Sequence, residues 1–148
     1  NTLFPEVRLK KTLEVRQADS QPTDRICSLP ALWKGLLYED GALRKLESLV
    51  SSLSYDDVAS SRQDVAKRAL RAKLGGRDVG EWATDVLSIA EGGLARLAAL
   101  DRQGRDERVH LAKLRRILDQ GRCPAEDLLA AIDESQPLVP QLLVKARI

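Results

Sequence analysis

Between Pro30 and Pro124 the chain contains no proline. Proline is the strongest helix breaker, so its absence over about ninety positions permits a long series of helices. Leucine and alanine dominate the apolar residues, whereas aromatic residues make up only 3% of the 148. Strands favour β-branched and aromatic side chains instead. The sequence therefore predicts a mainly α-helical fold, as a single domain or as a piece of a larger one.

Apolar residues recur at three- and four-residue intervals in several segments of this interval. The predicted helices cover about 29–38, 41–53, 54–70, 79–97 and 111–120, and a further helix begins at Pro124. Ser28 is predicted to cap the first helix. Ser54 with Asp57 forms a capping-box pattern for the third helix, and Asp78 with Glu81 repeats that pattern for the fourth.

Glycines and prolines mark the other boundaries. The pair at 75–76 predicts a turn, and Gly121 ends the fifth helix. The pair at 92–93 lies inside the fourth helix, where each glycine costs about 1 kcal/mol against alanine. Two explanations remain open there, close backbone packing or a kink. Residues 135–148 form either a docked irregular tail or a final short helix.

Residues 2–16 alternate with period two and predict one half-buried strand, followed by a polar turn at 17–22. Its apolar face carries Val7, Leu9, Leu13 and Val15, and its polar face carries Arg8, Lys10, Thr12, Glu14 and Arg16. An isolated strand exposes both edges, so we expect it to be disordered, paired with a second copy or paired with a companion chain. The first residue is Asn1 and not Met, so we expect a fragment of a longer protein.

The 24 basic and 22 acidic residues are interspersed, which is typical of a solvated helical surface. The basic stretch from Arg62 to Lys73 has acidic neighbours and no aromatic ones, so we predict no nucleic-acid binding. No apolar run approaches the ~20 residues that span a bilayer, and no signal-peptide pattern is present. We predict a cytoplasmic protein that does not associate with membranes.

Five residues of reactive or aromatic type are expected to have structural rather than catalytic or binding roles. Cys27 and Cys123 lie far apart without zinc-ligand spacing, so we expect two thiols rather than a disulfide or a metal site. His110 has no acidic or thiol partner at motif spacing and is expected at the surface or its boundary. Trp33 and Trp82 lie on apolar helical stripes, so we expect both to pack in the core.

The polar face of the opening strand carries residue types that can bind metal ions and phosphate. Glu14 and Arg16 lie two residues apart, so their side chains project from one face about 7 Å apart. Magnesium is usually bound by one or two carboxylates plus phosphate oxygens, and arginine offers a planar fork to a phosphoryl or carboxylate group. Arg8 and Lys10 continue the same row. Two interpretations remain open: a magnesium and phosphate site, or an exposed face with alternating charges.

Three ordered runs carry a family resemblance: FPEVRLK at 4–10, LEVRQAD at 13–19 and CSLPALWKGLLY at 27–38. The chain resembles the carboxy-terminal region of glutamate-cysteine ligases of the proteobacterial and plant type. A weaker likeness continues to about residue 134. The loop after the strand departs from the family, which usually has glycines at 17, 20 and 21, a Trp at 23 and a Tyr at 12. The family's aromatic, glycine-containing end is also replaced by residues 137–148.

The resemblance implies an ATP-dependent ligase. Magnesium-bound ATP would phosphorylate the side-chain carboxylate of glutamate, and the cysteine amine would displace phosphate in the first step of glutathione synthesis. The implied fold is a larger α+β ligase with an antiparallel catalytic sheet. Residues 1–24 would supply one or two strands of that sheet, 25–134 a helical carboxy-terminal domain and 135–148 a tail.

By the same resemblance, Glu14 would bind magnesium and Arg16 would be a catalytic residue that contacts nucleotide phosphate or the acyl phosphate. Arg8 would be a second anion contact. The remaining ligands and substrate-binding residues would come from the amino-terminal catalytic portion of the same protein, so we expect the chain alone to be inactive. The alternative is a non-catalytic helical interaction or regulatory module, and a homodimer through the exposed strand remains open.

Overall fold

Helices make up most of the described residues, which are 7–16, 18 and 21–145 of this computed structural model. The seven helices described are α1 (Ser28–Leu37), α2 (Asp40–Val50), α3 (Tyr55–Arg68), α4 (Val79–Leu97), α5 (Ala112–Gln120), α6 (Pro124–Ala130) and α7 (Leu138–Lys145). Two short antiparallel sheets accompany them, β1 (Val7–Leu9) with β2 (Leu13–Val15) and β3 (Lys73–Leu74) with β4 (Arg77–Asp78). The predicted mainly α fold is confirmed.

The core lies around α4, which packs against α1, α2 and α5. Its most deeply buried large side chains are Leu36 of α1, Leu94 of α4 and Leu111, just before α5. Trp82 at the start of α4 is also buried, and its indole Nε1 donates to the carbonyl oxygen of Leu74 at 2.9 Å. Trp33 packs against the same core from α1. The core positions predicted for both tryptophans are confirmed.

Helices α1 and α4 cross at two glycines with almost no space between their backbones. A Cβ atom at Gly93 would lie 1.9 Å from the carbonyl oxygen of Gly35. A Cβ atom at Gly35 would lie 2.4 Å from the carbonyl oxygen of Ala90. Of the two explanations left open for the glycine pair in α4, close packing therefore holds for Gly93, whereas Gly92 meets only the end of the Arg96 side chain.

The capping box predicted for α3 is confirmed. The backbone N–H of Asp57 donates to Ser54 Oγ at 3.1 Å, and the backbone N–H of Ser54 donates to Asp57 Oδ2 at 2.8 Å. These two bonds satisfy amides that a helix amino terminus otherwise leaves without partners. The Ser54 hydroxyl also donates to Asp57 Oδ2 at 2.6 Å, and this bond lowers the pKa of Asp57.

Glu39 caps α2 and at the same time connects it to α4. Its carboxylate accepts hydrogen bonds from the backbone N–H groups of Gly41 at 2.9 Å and Ala42 at 2.7 Å. Arg96 of α4 donates to the same carboxylate from Nε at 2.7 Å. The bond from Arg96 and the helix amides hold the pKa of Glu39 at about 2, well below its usual 4.5.

The prediction that Ser28 caps α1 is wrong. Cys27 occupies the N-cap position, and Ser28 lies inside the first turn, where it is buried. Its Oγ donates at 2.7 Å to the carbonyl oxygen of His110, 82 positions along the chain. The hydroxyl is therefore used for a long-range bond, because its position faces the segment before α5 rather than the open end of α1.

The capping box predicted for Asp78 and Glu81 is also wrong, although Asp78 does occupy the N-cap of α4. Both carboxylates are engaged by cations of the β3–β4 hairpin instead. Lys73 Nζ lies 3.1 Å from Asp78 Oδ1, and Arg77 Nε donates to Glu81 Oε2 at 3.1 Å. Charge-assisted pairs compete successfully here with bonds to neutral amides.

The other boundaries agree with their sequence signals. Gly75 and Gly76 form the turn of the β3–β4 hairpin with positive φ, and Gly121 ends α5 with a φ of 62°. The tail adopts the second of its two predicted forms, because α7 occupies most of the described tail. Gln141 holds α7 against the end of α6, since its amide accepts from the backbone N–H of Asp133 and donates to that residue's carbonyl.

Candidate functional site

Residues 7–16 of the segment predicted as one strand form a β-hairpin, so the single-strand prediction is wrong there, whereas residues 2–6 lie outside the described residues. The chain reverses at residues 10–12, where the N–H of Lys10 donates to the carbonyl of Thr12 at 3.0 Å. Lys10 and Thr12 therefore lie in a turn and not on a strand face. The turn has no glycine, proline, asparagine or aspartate, which are the usual signals of a reversal. The alternation of polar and apolar residues continues through the turn because paired residues lie on the same face of the hairpin. Val7 lies opposite Val15, and Arg8 lies opposite Glu14.

The reversal changes the position of Arg8 relative to the other candidate residues. Arg8 lies on β1 directly opposite Glu14 on β2, rather than further along a single row. The guanidinium of Arg8 donates to Glu14 Oε2 from Nε at 2.8 Å and also from Nη2. Arg16 Nε lies 3.5 Å from the other oxygen, Oε1, as an ion pair. All three predicted site residues are thus brought together around one carboxylate.

The signal for this pairing was present in the sequence. The triplets VRL and LEV are mirror images in polarity and are separated by three residues. In a hairpin their central residues face each other, and opposite charges in such cross-strand pairs contribute roughly 0.2–1 kcal/mol. In a single strand over residues 2–16, Arg8 and Glu14 would lie six positions apart, so their pairing depends on the reversal between them.

The hairpin has an excess of positive charge. Residues 7–16 carry four cations and a single acid: Arg8, Lys10, Lys11, Arg16 and Glu14. Lys10 and Lys11 are exposed in the turn and have no ion pair within the described part of the chain. The side chain of Arg16 is 14% exposed, compared with 41% for Glu14. Such a surface attracts phosphate or carboxylate groups.

The opposite face of the hairpin is apolar and largely uncovered. Val7 is 46%, Leu13 52% and Leu9 80% exposed, and of the four predicted inward residues only Val15 is half-buried. The expected half-buried face is therefore wrong for three of them. In the described residues β1 and β2 form a sheet of two strands, so no third strand covers their outer edges there. A two-stranded ribbon of this kind is marginal alone.

The segment immediately before α1 is bonded to α5. Asp24 forms a hydrogen-bonded ion pair with Lys113 of α5, which lowers the pKa of Asp24. Further along, Lys34 of α1 donates to Glu107 at 2.6 Å, beside the bond from Ser28 to the segment before α5. Helix α1 and the segment before it are thus fixed to residues 107–113 by polar bonds.

Glu14 is compatible with a role as one ligand of a magnesium ion. Oε2 accepts both bonds from Arg8, whereas within the described residues Oε1 has only the longer ion pair with Arg16. Magnesium takes one or two carboxylates from a protein and completes its shell with phosphate oxygens and water. No cluster of three or more histidine, cysteine or acidic residues occurs in the described ranges. Within those ranges Glu14 is therefore a single carboxylate and not a member of a complete metal cluster.

The histidine, the two cysteines and the basic stretch singled out in the sequence lie outside the hairpin. His110 is exposed, as predicted for a surface histidine. Cys27 and Cys123 are both free thiols, as expected. Three cations of the basic stretch, Arg68, Arg71 and Lys73, form ion pairs with acidic residues.

A model of the glutamate-cysteine ligase family 2 (GCS2) matches residues 1–143. The chain belongs to this family. Its curated relatives include glutamate-cysteine ligase A, chloroplastic, of Oryza sativa subsp. indica at 34% identity, and the chloroplastic glutamate-cysteine ligases of Solanum lycopersicum at 35% and Arabidopsis thaliana at 37%. Each match covers 128 residues, or 86% of this chain.

The chain spans about a quarter of the length of these relatives, between 23% and 25%. A helical body with a charged hairpin therefore corresponds to only part of such a ligase. None of the described helices is long and apolar enough to cross a membrane.

Proposed function

We propose that this chain is the carboxy-terminal part of an ATP-dependent glutamate-cysteine ligase and supplies the Glu14 and Arg16 side of its active site. The family match across residues 1–143, with the two residues side by side on an open hairpin, is the observation that supports it. The reaction joins the side-chain carboxylate of glutamate to the amine of cysteine.

The proposed chemistry has two steps. A side-chain carboxylate oxygen of glutamate attacks the γ-phosphorus of ATP, and ADP leaves with the electrons of the broken P–O bond. The cysteine amine then attacks the acyl carbon, phosphate leaves, and the amine loses a proton to form the amide. Magnesium neutralises phosphate charge in such reactions, and the protein contributes mainly positioning and electrostatic stabilisation.

Two residues of the hairpin have roles in this scheme. Glu14 would hold magnesium through its carboxylate, and Arg16 would donate hydrogen bonds to the transferred phosphoryl group or to nucleotide phosphate. Arginine suits that role because its planar fork matches phosphate oxygens. Arg8 would have to release Glu14 before it could contact an anion.

The proposed partner is the preceding, catalytic portion of the same ligase. Its strands would pair with an outer edge of the hairpin and cover the apolar side chains of Val7, Leu9 and Leu13, whose exposure supports a missing neighbour. A second copy of the chain is the alternative occupant of that edge. The proposed location is the cytoplasm, whereas the plant relatives are named as chloroplastic proteins.

A hybrid ligase tests the proposal. In it, the 128 residues of the Arabidopsis relative that match this chain are replaced by their counterparts here. We expect the hybrid to form γ-glutamylcysteine from glutamate, cysteine and MgATP. Arg16→Gln should lower its kcat by about 10²–10³, the usual cost of removing one transition-state donor, and Arg16→Lys should restore part of that loss.

Lys11→Gln is the matched control, because it removes one positive charge from the same hairpin at an exposed turn position. It should leave kcat within about twofold, since screened surface charges contribute little. An inactive hybrid, or an Arg16→Gln hybrid as active as the unsubstituted one, would contradict the proposal. The latter result would favour the non-catalytic helical module.

A further inference from the structure

The Arg8 guanidinium is used in a way that the family resemblance does not predict. Both of its hydrogen bonds, from Nε and Nη2, go to one oxygen of Glu14. The backbone register already pairs the two strands, with Arg8 opposite Glu14 and Leu9 opposite Leu13. The backbone bonds already hold the two strands together. The side-chain bonds from Arg8 therefore serve to orient the carboxylate of Glu14.

We propose that Arg8 is a positioning residue: it fixes Oε2 of Glu14 so that Oε1 points to a magnesium ion and the phosphate beside it. The inference rests on the proposed function of Glu14 as a metal ligand. It replaces the direct anion contact expected for Arg8 with an indirect role.

The need for such a residue follows from the exposure of Glu14. Its side chain is 41% exposed, and in the described part of the chain β1 is the only helix or strand that donates a hydrogen bond to it. A free glutamate side chain samples several rotamers, and fixing one of them costs conformational entropy. Two bonds from Arg8 meet that cost before the metal arrives. Partners that orient a metal ligand in this way typically change metal affinity 10–100-fold when they are removed.

Simple electrostatics predicts the opposite sign. Arg8 places a positive charge on the same carboxylate that would bind a cation, so its removal should make magnesium binding tighter if charge alone mattered. The positioning role predicts weaker binding instead. The sign of the change therefore separates the two explanations.

Magnesium affinity of the hybrid ligase is the measurement, made by titration calorimetry with a saturating non-hydrolysable ATP analogue. Arg8→Gln should weaken magnesium binding about tenfold, and Arg8→Lys, which keeps the charge but loses the planar fork, should also weaken it. Lys11→Gln should leave the affinity unchanged or slightly increase it. Circular dichroism of each variant controls for folding.

The outcomes are distinguishable. Arg8→Gln binding magnesium as tightly as the unsubstituted hybrid, or more tightly, would overturn the positioning role while leaving the ligase assignment intact. Glu14→Gln binding magnesium with unchanged affinity would instead contradict the proposed metal ligand, and with it both proposals. Weaker binding in Glu14→Gln and Arg8→Gln, but not in Lys11→Gln, supports both.

Discussion

The crossing of α1 and α4 makes the substitution Gly93→Ala a severe test of the packing. The added Cβ would lie 1.9 Å from the carbonyl oxygen of Gly35 and 3.1 Å from the Cβ of Ala42. Atoms in van der Waals contact need about 3.5 Å. The two helices would have to separate by roughly 1.5 Å, and the atom in the way is backbone, which cannot rotate aside as a side chain can.

The expected cost is about 3 kcal/mol in the free energy of unfolding, the upper end of the range for added atoms in a packed core. Helix propensity opposes it, because alanine is favoured over glycine by about 1 kcal/mol in a helix interior. The steric effect should be larger, since α1 and α4 form the main helix pair of the core and a shift there disturbs Leu36 and Leu94 as well.

Urea unfolding of the chain, followed by helical circular dichroism, measures this effect. The net cost is about 2 kcal/mol, so with a slope of about 2 kcal/mol per molar urea Gly93→Ala should lower the midpoint by roughly 1 M. Gly92→Ala is the matched control, because its new Cβ meets only the flexible end of Arg96 at 3.4 Å. The control should be as stable as the unsubstituted chain or more stable. Equal midpoints for the two variants would refute the close crossing.

Two further predictions concern polar bonds that hold the helices together. Ser28→Ala removes a buried hydroxyl that donates to the carbonyl of His110, so unfolding should cost about 1–2 kcal/mol less. Ser52→Ala, at an exposed position, should have no effect in the same urea assay. Glu39 has a folded-state pKa of about 2 against 4.5, so its contribution is complete above about pH 4.5 and is lost as the pH falls through 2. The urea midpoints of the unsubstituted chain and Glu39→Gln should therefore converge between pH 5 and pH 2, and a constant difference across that range would be inconsistent with this cause.

Local rules predicted much of the helical fold from the sequence. The Ser54 and Asp57 capping box, the glycine turn at 75–76 and the end of α5 at Gly121 depend on residues a few positions apart, so the sequence contains the whole interaction. Ser28 shows where such rules fail. Its side chain has a choice between a local amide and the distant carbonyl of His110, and only the tertiary fold decides between them.

The sequence names three candidate site residues, whose roles stay predictions, but it does not give their arrangement. Ordered family motifs identified Arg8, Glu14 and Arg16, and the structure groups all three around one carboxylate. Their arrangement depended on a reversal at Lys10 to Thr12 that lacks any standard turn residue, so the sequence indicated a continuous strand. The helix crossing was predictable only in part. The glycine pair at 92–93 indicated close packing or a kink, but nothing in the sequence identified Gly35 as the partner.

Product formation tests the central claim most directly, namely that this chain carries one side of a ligase active site whose other side lies in the preceding sequence. γ-Glutamylcysteine is measured by mass spectrometry after incubation of glutamate, cysteine and MgATP with the isolated chain, the hybrid ligase and its Glu14→Gln variant. We predict product from the hybrid alone, with the Glu14→Gln variant reduced by at least about 10²-fold. Product from the isolated chain, or full activity in the Glu14→Gln hybrid, would contradict the account.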